Sequence, residues 1–129
     1  MQEVLKIDPR ADTPGLIIDP NENRFELYGK SLPEDSNAFY DSAISFFRKY
    51  AENPNPETVF TFNFEYYNSA SVRKIVNFIE ILEEIQKKGF KVKAIWMYEE
   101  TDEVMEDNGL DFQDTAEIPI ELKSFKFDY

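Results

Sequence analysis

The chain has 129 residues, a single-domain length, and its 42% hydrophobic and 16% aromatic content, with twelve Phe and seven Tyr, is enough to bury a core without cross-links. It contains no Cys and no His, which excludes disulfides, thiolate zinc sites and cysteine nucleophiles and removes the commonest general base and metal ligand. A formal net charge of −12 works against binding to nucleic acid or anionic membrane and favours partners with basic surfaces.

No apolar run opens the chain and none approaches a membrane span, so a cytoplasmic protein with no membrane association is expected. Residues 3–7 and 15–19 read as extended. Asp19-Pro20-Asn21-Glu22-Asn23 is a turn signal, because Pro presets the bend and Asn tolerates unusual dihedrals. The alternation of Arg24-Phe25-Glu26-Leu27-Tyr28 then makes 15–28 a β-hairpin. The same turn superficially opens like a calcium loop, but its sixth position is Arg24 rather than Gly and its twelfth is Lys30 rather than Glu.

Pro33 and Ser36, a plausible cap, precede a helical stretch whose apolar residues Tyr40, Ala43, Ile44, Phe47, Tyr50 and Ala51 share one face. Asn53-Pro54-Asn55-Pro56 ends it. Thr58 to Tyr66 is a strand with Phe60, Phe62 and Phe64 on one side. Ser69 to Lys88 is the best helix. Its stripe is Val72, Ile75, Val76, Ile79 and Leu82, widened by Phe78, Ile81 and Ile85, and Gly89 stands where a C-terminal cap belongs.

Lys91 to Tyr98 alternates as another strand. Residues 99–117 then carry nine acidic side chains and no basic one, with apolar positions that allow a short helix. Segment 118–122 reads as an edge strand, where Pro119 is tolerated. Strand–helix–strand units with right-handed crossovers imply a largely parallel sheet, so the expectation is a single α/β domain over 1–129: a mixed sheet with an N-terminal hairpin and helices packed on it.

One junction carries the candidate chemistry: Tyr66-Tyr67-Asn68-Ser69-Ala70-Ser71-Val72-Arg73-Lys74. A buried strand ends, hydroxyl residues follow, and an amphipathic helix begins. Functional sites in open α/β sheets concentrate at the carboxyl ends of strands, and the first N–H groups of a helix are unpaired. A phosphate on Ser69 would add roughly −1.5 to −2 charges there. Arg73 and Lys74, a turn further on, could add charge-assisted contacts. The alternative left open by spacing alone is that Asn68 or Ser69 merely caps the helix.

Read together, several segments resemble the SiaC-type regulatory phosphoproteins, bacterial proteins with a STAS-like fold related to anti-sigma factor antagonists. They are Leu5-Lys6-Ile7 before Thr13-Pro14, Phe25 to Ser31 leading to Pro33-Glu34, Tyr66 to Ser71, Trp96-Met97-Tyr98-Glu99-Glu100, and Phe112 before Ile118-Pro119-Ile120-Glu121. The family's phosphoacceptor is a threonine in a tyrosine, any residue, asparagine, threonine, serine, serine pattern. Ser69 stands at the threonine position, Ala70 replaces the next serine, and Ser71 matches the last and is the second choice. The resemblance implies a kinase, a PP2C-type phosphatase, and a diguanylate cyclase that the unphosphorylated form activates, raising cyclic di-GMP and favouring biofilm. With neither His nor Cys, no catalysis by the chain itself is expected, and no cofactor.

A different class remains: a constitutive acidic interaction module that uses residues 99–117 to block a basic surface of a partner. A carboxylate-based enzyme is a third, carried only by pairs such as Glu99/Glu100 that chance supplies in a chain that is 31% charged. The aromatic tail Phe125-Lys126-Phe127-Asp128-Tyr129 also invites a contact.

Overall fold

Period-two alternation of apolar residues becomes strands and period 3.6 becomes helices, in the order expected. The structure, a computed structural model, describes residues 2–32 and 36–126. The elements are β1 (Leu5–Ile7), β2 (Gly15–Asp19), β3 (Arg24–Ser31), α1 (Ser36–Glu52), β4 (Glu57–Tyr67), α2 (Ser69–Lys87), β5 (Lys91–Glu99), α3 (Glu103–Thr115) and β6 (Ile120–Phe125). Pro33 and the Ser36 side chain expected to cap α1 lie outside what is described, as do Phe127 and Tyr129 of the tail.

One six-stranded sheet runs β1-β2-β3-β4-β5-β6. The first three strands are antiparallel neighbours, and β3 to β6 add in parallel through the three helices. The sheet is therefore mixed, with the N-terminal hairpin closed by the expected turn. There the buried Asp19 carboxylate accepts the N–H groups of Asn21 at 3.1 Å and Glu22 at 3.2 Å, and Asn23 takes φ 53°. Asp19 thus organises a turn, as the missing calcium-loop residues require.

The helices cover one sheet face. Phe25, Phe60 and Phe62 from the strands, Phe47 from α1, Phe78 from α2 and Trp96 from β5 interlock in one buried cluster. These pairs range from offset-stacked to edge-on, with ring centroids 5.2–6.5 Å apart, and such contacts add roughly 0.5–1.5 kcal/mol each beyond area burial. The buried stripe of α2 is Ser71, Ile75, Phe78, Ile79, Ile81, Leu82 and Ile85. Val72, expected in that stripe, is instead 37% exposed, because Ser71 takes the core-facing position of the first turn. At the other end Gly89, φ +99°, donates its N–H to the Gln86 carbonyl at 2.9 Å, the left-handed stop that an L side chain resists.

Two local devices shape the carboxyl end of the sheet. A register shift between Gly29 and Lys30 pairs Gly29 with Phe64 but Lys30 with Tyr66, so β4 carries one extra residue. Simple alternation after Phe64 would turn Tyr66 inward. The bulge turns Tyr67 inward, against Phe64 and Trp96, and leaves Tyr66 56% exposed. Further along, α3 seats on the Trp96 indole at Gly109, where an added Cβ would stand 2.4 Å from the ring. Trp96 Nε1 donates to the Met105 carbonyl at 2.9 Å and the ring packs on Phe112. Among the described residues, no helix is long and apolar enough to cross a membrane.

Candidate functional site

The end of β4, the end of β3 and the start of α2 converge on four side chains. Asn68 leaves the strand in extended conformation, with φ −87° and ψ 169°, and its N–H donates to the Ser31 carbonyl at 3.0 Å. Its Oδ1 accepts the Ser71 N–H at 3.1 Å, capping α2, and the Ser71 hydroxyl at 2.7 Å. Capping of this kind stabilises a helix by about 1 kcal/mol. The cap reading of Asn68 is thereby met, and Ser69 is released from that duty.

Behind the cap runs a buried hydroxyl chain. Ser71 Oγ lies 2.8 Å from Ser31 Oγ, which lies 2.6 Å from the Tyr40 hydroxyl of α1. One proton order satisfies every link: Tyr40 donates to Ser31, Ser31 to Ser71, and Ser71 to the Asn68 carbonyl oxygen. Burial pushes the Tyr40 phenol up to about 12, against the opposing pull of its hydrogen bonds to Ser31 and Ser71, so it stays a donor. Three elements distant in sequence are tied at the point where the phosphoacceptor is expected.

Ser69 itself is the first residue of α2 and is exposed, as is Ala70, and its hydroxyl has no hydrogen bond among the described residues. Ser71, the second choice, is fully buried with its hydroxyl held by Asn68 and Ser31. A kinase could reach it only by opening the start of the helix. The two cations expected around the acceptor are engaged elsewhere. Arg73 points down the helix to Glu80 at 3.5 Å, and Lys74, its side chain only 14% exposed, reaches Asp41 of α1 at 3.5 Å. The local anion-attracting features are therefore the helix N-terminus and its N–H groups.

The acidic segment is partly structural. Asp102 caps α3 by accepting the Met105 N–H at 3.1 Å, Glu103 and Glu106 fall in the first turn where the helix dipole favours them, and Glu106 accepts the Tyr98 hydroxyl at 2.8 Å. Tyr67 joins the end of β4 to this helix. Burial foremost pushes its phenol up to about 12, with the Asp111 charge adding to the rise and a hydrogen bond to Asn108 opposing it. Among the described residues, no group of three or more carboxylates is placed to hold a metal ion.

Sequence reading located Asn68, Ser69 and Ser71 but missed Ser31, Tyr40 and Tyr67. A single serine at a strand end and a tyrosine on an apolar helix face carry no local signal of their partnership.

The family model for the SiaC family of regulatory phosphoproteins matches residues 7–125. An uncharacterized protein of Pseudomonas aeruginosa (strain UCBPP-PA14) is 21% identical over 120 residues, spanning 93% of this chain and 95% of that one. The crystal structure of apo-SiaC from Pseudomonas aeruginosa has the same fold, with a TM-score of 0.87 at 20% identity over 95% of this chain and 100% of that one. The crystal structure of the diguanylate cyclase SiaD in complex with its activator SiaC, from the same organism, matches with a TM-score of 0.87 at 21% identity, over 94% of this chain and 99% of that one.

Proposed function

Because the chain belongs to the SiaC family of regulatory phosphoproteins, we propose that it is a phosphorylation-switched protein activator of a bacterial diguanylate cyclase, with Ser69 as the phosphoacceptor. The single observation that carries the assignment of the acceptor is the contrast between two hydroxyls two residues apart, on different sides of the same helix. Ser69 is exposed with no hydrogen bond among the described residues, while Ser71 is buried and fully engaged. A protein kinase would load Ser69 and a PP2C-type phosphatase would clear it. In its unphosphorylated form the protein, acting in the cytoplasm, would raise cyclic di-GMP output and so favour biofilm formation by its host cells.

The physics of the switch is local. The phosphate gains roughly 0.3–1 kcal/mol from the start of α2, so the fold tolerates it. The exposed Val72 lies three residues on, on the same helix face, so a partner that covers it would also cover Ser69. Docking there would strip water from a dianion, which disfavours binding. A constitutive acidic module is favoured instead only by the outward carboxylates of α3, and it predicts no response at Ser69.

The test is intact-mass and peptide mass spectrometry on protein from its native cells, followed by cyclase assays with Ser69→Ala and with phosphoserine installed at position 69. The expectation is one phosphate at Ser69, activation by Ser69→Ala, and loss of activation by the phosphoserine form. Equal activation by both forms would overturn the switch.

A further inference from the structure

The face of the sheet opposite the helices is mostly neutralised by its own side chains. Lys6 pairs with Asp19 at 3.9 Å, Arg24 with Glu26 at 2.7 Å, and Glu121 with Lys93 at 3.8 Å and Lys123 at 3.4 Å. At the carboxyl end of β5 and β6 one more pair, Lys126 with Glu100 at 3.7 Å, closes the series. An open groove of about 880 Å³ begins there, lined among others by Tyr28, Glu65, Tyr66, Glu103, Val104 and Phe125. Lys30 supplies its cation.

The groove follows from features already described. The bulge turns both Glu65 and Tyr66 outward from β4, the α3 cap places Glu103 and Val104 on the facing wall, and the end of β6 supplies Phe125. Two of its carboxylates are already used: Glu99 accepts the N–H of Thr101 at 2.8 Å, and Asp102 caps α3. Glu65 and Glu103 have no ion pair among the described residues. Beside them stand two large, strongly exposed apolar side chains, Tyr66 at 56% and Val104 at 69%.

From this we propose that the groove docks a cationic segment with apolar side chains from the protein partner of the chain. The inference rests on the reading that the chain acts by binding a protein, and it names the surface and the chemistry of what binds there. Unpaired carboxylates select Lys or Arg and steer the encounter, and the exposed Tyr66 and Val104 supply the area that an apolar side chain covers. The groove is large enough for several side chains, and its open walls and unpaired carboxylates Glu65 and Glu103 suit a cationic peptide segment better than a small anionic ligand. Phe125 gains a role here: the first aromatic of the tail forms part of the groove wall.

The probe is a short synthetic peptide alternating leucine and lysine, with its leucine and glutamate counterpart as control, titrated into the full chain labelled with nitrogen-15. The expected result is amide shifts concentrated at Tyr28, Lys30, Glu65, Tyr66, Val104 and Phe125, with the lysine peptide only. Combining Glu65→Lys with Glu103→Lys should weaken affinity by about tenfold or more. The same reversal at Glu52 and Glu57, at the opposite end of the sheet, should leave it within about twofold. Shifts spread over the outer face of α3, equal binding of the acidic peptide, no binding at all, or equal losses from both charge reversals would each overturn the proposal. Because the readout involves neither cyclase nor Ser69, its failure would leave the phosphorylation reading standing, and failure of that reading would leave the shift map intact.

Discussion

Replacing Gly109 with alanine sets two effects of opposite sign against each other. In an open helix the change would stabilise by about 1 kcal/mol, since alanine loses less backbone freedom on folding. In α3 the new Cβ would stand 2.4 Å from Trp96 Cδ1 and 2.9 Å from Nε1. The indole has nowhere to go. Its Nε1 is bonded to the Met105 carbonyl at 2.9 Å, and Phe62, Phe64, Tyr67 and Phe112 surround the ring at centroid distances of 6.0, 6.1, 6.1 and 5.1 Å. Overpacking of this sort costs about 1–3 kcal/mol, and lifting α3 to relieve it loses a hydrogen bond worth about 1 kcal/mol. The net expectation is a loss of about 2 kcal/mol, a fall in urea midpoint of about 1 M for a domain of this size. Trp96 is the chain's one tryptophan, so its emission reports this contact directly and should shift to the red. An unchanged or raised midpoint with unchanged emission would refute the seating of α3 on the indole. The position of the groove wall at Glu103 and Val104 would then need another support.

The hydroxyl chain behind the cap should respond in a graded way. Ser31→Ala removes the middle link and leaves the buried Tyr40 hydroxyl without its 2.6 Å partner, so a loss of about 2 kcal/mol is expected. Ser71→Ala leaves its neighbours other partners and should cost nearer 1 kcal/mol. Urea unfolding checks this order, and the reverse order would refute the proton arrangement. The buried phenols also set an alkaline limit. Tyr40 is held protonated in the fold up to about 12 against an ordinary 10.0, so both states are neutral and its contribution is complete below pH 10. As pH rises from 10 towards 12 the unfolded chain loses that proton first and stability falls, by about 3 kcal/mol at most for a shift of this size. Tyr67 is raised in the same direction but is only half-buried, so its share is smaller. Tyr40→Phe should flatten the decline when the urea midpoint is followed against pH, and an equally steep decline would assign it to other groups.

Much of the molecule was legible along the chain because the relevant physics is local. Alternation at Phe60, Phe62 and Phe64 and the helical spacing of Ile75, Ile79 and Leu82 placed the strand and helix that frame Ser69. The turn after Asp19 and the glycine stop at Gly89 were set by residues within a few positions of each other. Local spacing also located the cap, since Asn68 and Ser71 are one turn apart.

What the linear pattern did not contain was decided by partners far away in sequence. Ser71 reads as a candidate acceptor until Ser31 and Tyr40, 40 and 31 positions earlier, close over it and bury it. Arg73 and Lys74 read as phosphate ligands until Glu80 and Asp41 draw them off. The outward turn of Tyr66 depends on a register shift against β3, which no alternation within β4 alone can specify. Periodicity encodes which side of an element is apolar, and that is enough to form the sheet and its helices. Which hydroxyl remains exposed to solvent, and where a groove of unpaired charge is left, depends on side chains satisfied across strands and helices, and only the assembled fold decides that.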